Sequence, residues 1–228
     1  MTVLSVIIPV YNEAATLATV LEAVRAVPVD KEIIIVDGQS SDGTVEILQR
    51  EEARGDLRVI YQQVRNGRGG ALQEGMASAT GEIVVFQDAD LELDPSCFPE
   101  LIRPILEDRA DLVLGSRFLE GRPNMTFFQY WGNRVVTGLL NLFWGSRITD
   151  AETCYQVFRR SAVAGMIFDR QDMSFTIELL LRLIQAKLRI TEVPVDYFPR
   201  TALEGKKLYW ADGFISLWVL LRYRIAWL

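Results

Sequence analysis

The chain has 228 residues, 50% hydrophobic and 24% charged, which suits one large domain or two small ones and excludes a disordered chain, a collagen-like fibre and a disulfide-rich miniprotein. Histidine is absent, so Ser-His-Asp and Cys-His catalysis and most zinc sites are excluded. The net charge of −6 argues against a non-specific nucleic-acid binder, and no nucleic-acid partner is expected.

The apolar run Val3–Pro9 reads as a buried strand, and no basic stretch precedes it, so no signal peptide is expected. Asn12 is placed to N-cap a helix over Glu13–Val27, with Leu17, Val20, Leu21 and Val24 on its inward face. Glu32–Val36 is a second strand, closed by Asp37-Gly38, and Asp42-Gly43 opens a helix to about Arg54. Leu57–Tyr61 is a third strand, followed by a glycine-rich loop and a helix from about Gly70 to Ala79. Ile83–Phe86 is a fourth, ended by Gln87-Asp88-Ala89-Asp90. Strands alternating with helices of this length imply βαβ units and a parallel sheet, whose ligands bind at the carboxyl ends of the strands. Asp37, Asp88 and Asp90 all fall at such ends.

Pro95–Leu106 reads as a helix, Asp111–Ser116 as a strand, 174–187 as a helix and Ile190–Val195 as a strand. Residues 127–144 are apolar and aromatic, and Phe214–Leu228 is an apolar helix carrying Trp218, Trp227, Arg222 and Arg224. No run of about 20 uncharged apolar residues occurs, so no transmembrane helix is expected. Aromatic, arginine-bearing helices of this kind suit a bilayer interface, and they leave open a dimer or tetramer as well. Cys97 and Cys154 have no metal spacing and read as free thiols of a reducing compartment. With no repeat, low-complexity tract or linker, one domain over 1–228 is the simplest reading.

Charge divides the chain: residues 1–116 hold 9 basic and 20 acidic residues, and residues 117–228 hold 15 and 10. Of the 24 basic residues 20 are Arg, whose planar fork suits phosphate. The net positive second half can meet phosphates or an anionic membrane.

Four short segments carry chemistry. Asp88-Ala89-Asp90 after a buried strand can bind a hard cation that neutralises a diphosphate, with Glu92 as a further ligand. In Pro9-Val10-Tyr11-Asn12-Glu13, Tyr11 offers an aromatic face for a base. In Asp37–Thr44, Asp37 can accept from a base or ribose while Asp42 caps the next helix. Arg65-Asn66-Gly67-Arg68-Gly69-Gly70 can hold phosphate, although it is neither a P-loop nor a dinucleotide fingerprint.

These segments, in this order, resemble family 2 glycosyltransferases of the GT-A fold, over essentially the whole chain. The later segments are similar to the dolichyl-phosphate mannosyltransferase branch. They are Gly115-Ser116-Arg117, Gly132-Asn133-Arg134, Thr149–Tyr155 leading to Phe158-Arg159-Arg160, Glu192-Val193-Pro194, and Arg200 through Glu204–Lys207 to Asp212-Gly213.

The resemblance implies an α/β fold with a mostly parallel central sheet flanked by helices. Residues 1–116 would form its nucleotide-sugar half and 117–228 its acceptor half. It implies a nucleotide-diphospho-sugar donor, GDP-mannose or UDP-glucose, and Mg2+ or Mn2+. Pro9, Tyr11, Glu13, Asp37, Asp88 and Arg117 would hold the donor, and Asp90 with Glu92 the metal. Arg134, Arg200, Lys206 and Lys207 would meet phosphates and acceptor. Asp88, Asp90, Arg117 and Asp150 form the expected catalytic set.

Such enzymes invert by in-line displacement. A hydroxyl acceptor needs a base, for which Asp150 or Glu152 is best placed, whereas a lipid phosphate is already anionic and needs none. A polyprenyl phosphate on the cytoplasmic face, with peripheral membrane contact, is therefore the expected acceptor. The alternatives are transfer to a sugar or protein hydroxyl in cell-envelope glycan synthesis, or nucleotide-sugar binding without catalysis.

Overall fold

The computed structural model describes residues 3–200 and 210–226. Its strands are β1 (Leu4–Val10), β2 (Lys31–Asp37), β3 (Arg58–Tyr61), β4 (Ile83–Phe86), β5 (Leu112–Ser116), β6 (Gln156–Arg159) and β7 (Ile190–Pro194). Its α-helices are α1 (Leu17–Ala26), α2 (Thr44–Glu52), α3 (Gly67–Ser78), α4 (Phe98–Leu106), α5 (Phe127–Trp144), α6 (Phe175–Gln185) and α7 (Trp210–Ala226). The seven strands form one sheet in the order β3-β2-β1-β4-β6-β5-β7. Strand β6 runs antiparallel to both its neighbours, and every other pairing is parallel. Both halves of the chain thus share one sheet.

The central strands are apolar on both faces because both faces are covered. Val6, Ile8, Ile33, Ile35 and Val85 pack into a core with α1, α2 and α4. Their alternates Ile7, Ile34, Val84 and Phe86 pack into a second core with α3, α5, α6 and α7. The chain leaves β1 toward β2 and β3 on one side and returns to its other side with β4. The carboxyl ends of β1 and β4 therefore flank the point where the strand order reverses, where open α/β sheets bind ligands.

Three local expectations change. The first helix begins at Leu17 rather than Glu13. Asn12 is left-handed at φ 51°, and its side chain accepts from Ser41 N at 2.8 Å instead of capping. The third helix begins at Gly67, so the glycine-rich segment is helical. Its glycines serve close approach: a Cβ on Gly69 would lie 2.6 Å from Phe175 Cβ, and one on Gly75 2.3 Å from Ile7 Cγ2. Strand β6 was not expected, because four residues with Gln and Arg at the ends give no apolar run. The inward residues of α1 are as expected: Leu17, Val20, Leu21 and Val24 are buried.

Candidate active site

The loops after β1 and β2 are laced together by backbone N–H groups donating to side chains. Asn12 N donates to Ser40 Oγ at 2.8 Å, Glu13 N to Thr44 Oγ1 at 2.9 Å and Ala14 N to Asp42 Oδ2 at 3.1 Å. Asp42 Oδ1 also accepts from Thr44 N at 3.1 Å at the start of α2. Pro9 lies inside β1, where it removes no ladder bond. Its missing N–H would face the β4 side, and β4 ends at Phe86, opposite Ile7. Asp37 is 2% exposed: its Oδ2 accepts from Ser40 N at 3.1 Å, and its Oδ1 has no protein partner. The Tyr11 ring carries the Arg65 guanidinium 3.6 Å from its centroid.

At the end of β4, the buried Gln87 spans the acidic loop: its Nε2 donates to the carbonyls of Asp88 at 3.0 Å and Leu93 at 3.3 Å. Tyr155 holds Gln87 in turn, its hydroxyl donating to Oε1 at 2.6 Å. Asp88 forms a two-point pair with Arg68, at 2.8 and 3.0 Å. Burial alone would raise the Asp88 carboxyl, but Arg68 outweighs it and holds the group below its ordinary range. Arg68, part of the segment read from the sequence as able to hold phosphate, is thus engaged with the acidic motif, and no spacing rule links residues twenty apart. Asp90 behaves oppositely: burial and the neighbouring Asp88 and Glu92 carboxylates push it up to about 7. Arg200 reaches into this region, pairing with Glu13 at 2.9 and 3.2 Å and lying 3.4 Å from Asp90 Oδ2.

Asp90 fits a divalent cation: it is a half-buried carboxylate among excess negative charge. Mg2+-type sites use one or two carboxylates and complete the shell with substrate phosphates and water. Glu92, two residues on, already accepts a hydrogen bond at each carboxylate oxygen. Its Oε2 accepts from the Tyr197 hydroxyl and its Oε1 from Arg200 N, both at 2.9 Å. Among the described residues no three His, Cys, Asp or Glu side chains form a metal cluster.

Arg117, just past β5, forms a second pair, and this one is almost wholly buried. Its Nε donates to Asp150 Oδ2 at 2.7 Å, its terminal nitrogen to Oδ1 at 2.8 Å and its backbone N to Oδ2 at 3.1 Å. Asn133, with its amide turned to satisfy both, donates to Asp150 Oδ1 at 3.2 Å and accepts from Arg117 at 2.8 Å. The Asp150 side chain is 0% exposed. Both of its oxygens are committed to Arg117 and Asn133, so of the two candidate bases, Asp150 and Glu152, the first is already engaged. Tyr197 lies under Arg117, 5.2 Å from ring centroid to guanidinium. Asn133 and Tyr197 had been given no role, since nothing in their spacing links them to Arg117.

Arg134 is exposed beside the site, over the Phe118 ring at 5.7 Å. Lys206 and Lys207 lie outside the described residues. Cys97 and Cys154 are free and half-buried. Burial and the adjacent Asp88 raise the Cys154 thiol well above its ordinary value. The first turns of α5 leave Phe127, Phe128 and Trp131 exposed, Phe128 at 86%. On α7, Trp218, Leu221 and Ile225 are exposed while Val219 and Leu220 enter the second core. No helix of the described residues is long and apolar enough to cross a membrane.

Comparison with known proteins agrees with this architecture. The profile of the family described as "Glycosyl transferase family 2" matches residues 5–166. The chain is 32% identical over 206 residues to the glycosyltransferase AglD of Haloferax volcanii, covering 86% of this chain and 33% of that protein. It is 28% identical over 208 residues to a dolichol-phosphate mannosyltransferase of Pyrococcus furiosus, covering 89% of this chain and 58% of that protein. It therefore spans a third to somewhat over half the length of these curated relatives. Among solved structures, it superposes on glucosyl-3-phosphoglycerate synthase of Mycobacterium tuberculosis in complex with Mn2+, UDP and phosphoglyceric acid. That match has a TM-score of 0.72 and 24% identity, covering 96% of this chain and 78% of the other, and is a likeness of fold.

Proposed function

The chain belongs to glycosyl transferase family 2 and has its GT-A fold, and from that premise we propose that it moves a hexose from GDP-mannose or UDP-glucose to a polyprenyl phosphate at the cytoplasmic face of a membrane. The observation that carries the acceptor class is the commitment of Asp150 to Arg117. With no histidine in the chain and this carboxylate fully paired, Glu152 is the remaining candidate base, and an acceptor that is already an anion suits the site better than a hydroxyl needing one.

In this reading the laced loops after β1 and β2 hold the nucleoside, with the unpartnered Asp37 Oδ1 offered to a base or ribose donor and Tyr11 beside it. Asp88 orients the donor sugar and is itself oriented by Arg68. Mg2+ or Mn2+, held through Asp90, would neutralise charge on the leaving diphosphate. An acceptor phosphate oxygen attacks the anomeric carbon in line. The bond from that carbon to the diphosphate oxygen breaks, and the nucleoside diphosphate leaves. Arg117, Arg134 and Arg200 bring the anions together, an electrostatic positioning task. The exposed aromatic start of α5, with Arg122 stacked on Tyr130 and Arg134 on Phe118, suits a lipid surface.

A donor and acceptor panel tests this. GDP-mannose, UDP-glucose and UDP-N-acetylglucosamine are each supplied with Mg2+ or Mn2+, with and without a short polyprenyl phosphate, and nucleoside diphosphate release is followed. The expected outcome is release that depends on the lipid phosphate with one donor. Metal-dependent donor binding without lipid-stimulated release would move the reading to a hydroxyl acceptor or a non-catalytic binder.

A further inference from the structure

Strand β7 opens with Ile190, Thr191 and Glu192, and pairs with β5 so that Glu192 lies opposite Leu114 and Pro194 opposite Ser116. The Glu192 carboxylate reaches the turn that carries Asp150. Thr149 N donates to both its oxygens at 2.9 Å, Thr149 Oγ1 donates to Oε1 at 2.9 Å, and Asp150 N donates to Oε1 at 3.2 Å. Because the Thr149 hydroxyl proton goes to Glu192, its oxygen accepts from Ser116 Oγ at 2.7 Å, and Ser116 immediately precedes Arg117. One carboxylate on a neighbouring strand thus fixes two backbone N–H groups of the turn and, through Thr149, the chain entering Arg117. The turn in turn presents Asp150, whose two oxygens fix the Arg117 guanidinium. Among the described residues Glu192 makes no ion pair. Glu192 also lines a cavity of about 470 Å³ with Trp144, Arg147, Ile184 and Ile190. Burial raises the Glu192 carboxyl above its ordinary range, against the pull of these hydrogen bonds.

We propose that Glu192 is a positioning residue for Arg117, setting the place of its guanidinium through the Thr149–Asp150 turn. The hydrogen bonds of Glu192 go to Thr149 and Asp150 and none to Arg117, so its effect on transfer passes through Asp150. The inference rests on the reading of Arg117 as a phosphate-binding group of a transferase, but its first test does not require activity.

Glu192→Gln keeps the volume and one acceptor oxygen but turns an amide against the Thr149 N–H. Glu192→Asp keeps the charge and draws the carboxylate back by one methylene. In the full chain, hydrogen exchange of the Arg117 Nε–H, followed by 15N NMR, reports its bond to Asp150. Both variants are expected to exchange it about tenfold faster than the parent chain, which a role through charge alone would not produce in the Asp variant. Transfer is expected to fall about tenfold in kcat/KM for Glu192→Gln, and the Glu192→Gln/Asp150→Asn double variant to fall no further than Asp150→Asn alone. Unchanged Arg117 protection in both variants, or additive losses in the double variant, would overturn the proposal. If Glu192→Gln does not fold, the Asp variant alone decides it by the same exchange measurement. If the parent chain transfers no sugar with any donor and acceptor, the transferase reading fails, while the exchange result still judges Glu192.

Discussion

Strand β5 has an arginine–aspartate pair at each end, with nearly the same geometry. Before it, Arg189 donates from Nε and a terminal nitrogen to Asp111 at 3.0 and 2.8 Å, and from its backbone N at 3.0 Å. After it, Arg117 donates to Asp150 from the corresponding atoms at 2.7, 2.8 and 3.1 Å. What differs is water. The arginine and aspartate side chains are 48% and 17% exposed in the first pair and 9% and 0% in the second. The outer pair ties the start of β7 to the start of β5 in high dielectric, where it adds little. The inner pair has been taken out of water at a cost of several kcal/mol per ion, and removing either partner leaves an uncompensated charge. The same two-point contact is therefore a surface latch at one end of the strand and part of the crevice at the other. Asn133, Tyr197 and the acidic loop surround only the inner pair.

Substitutions can sharpen that contrast. The largest effect is expected at Asp90, the half-buried carboxylate in excess negative charge. Asp90→Asn should lower metal-dependent transfer by roughly 10³-fold, in proportion to the several kcal/mol a divalent cation contributes. The same change should stabilise the metal-free protein. A carboxyl raised to about 7 in the folded state carries a penalty that grows as pH rises from its unfolded value and is complete above 7. Thermal melts with chelator should show Asp90→Asn gaining about 1–3 kcal/mol at pH 8 and nothing near pH 4. A loss of stability at pH 8 would mean that the carboxylate is paired rather than crowded.

Next comes Arg117→Lys, which keeps the charge but not the fork. It should lose about 10²-fold in kcat/KM and about 1–3 kcal/mol of stability. Arg189→Lys, the mirror change at the other end of β5, should leave both within error. Equal losses at the two ends, measured by turnover and denaturant melts, would break the comparison.

How much of this was legible in the sequence follows from what makes each contact. The parallel sheet and the strand-end position of Asp37, Asp88 and Asp90 follow from runs such as Ile83–Phe86, because a strand buried on both faces is apolar throughout. The family resemblance added Arg117, Asp150 and Arg200 as site residues. What spacing could not supply was pairing across the chain. Arg68 is twenty residues from Asp88, and Glu192 is forty-three from Thr149. Such contacts are set by which strands lie side by side. Strand β6, whose antiparallel insertion between β4 and β5 brings Tyr155 under Gln87, was itself too short and polar-ended to read. The glycine-rich segment misled for a related reason. Its glycines answer to Phe175 and Ile7 on other elements, whereas sequence reasoning assigns such glycines to a local loop.

A small effect, confined to stability, is expected at Asp111. The Arg189 side chain beside it, helped by the Arg189 backbone N–H, lowers its carboxyl to about 2 although burial opposes this. A carboxyl depressed in the folded state contributes stability that is fully present above its unfolded pKa and disappears as pH falls through the folded one. The contribution of Asp111 should therefore be complete above about pH 4 and gone near pH 2. Because the Arg189 side chain is 48% exposed, screening by water and salt reduces that contribution to about 1 kcal/mol or less. Asp111→Asn should lower the urea midpoint slightly at pH 7, match the parent chain near pH 2, and leave turnover unchanged. Added salt separates this pair from the inner one. At 1 M salt, where the screening length is about 3 Å, the Asp111→Asn deficit should shrink, while the Arg117→Lys deficit should largely persist because a pair this buried is screened much less.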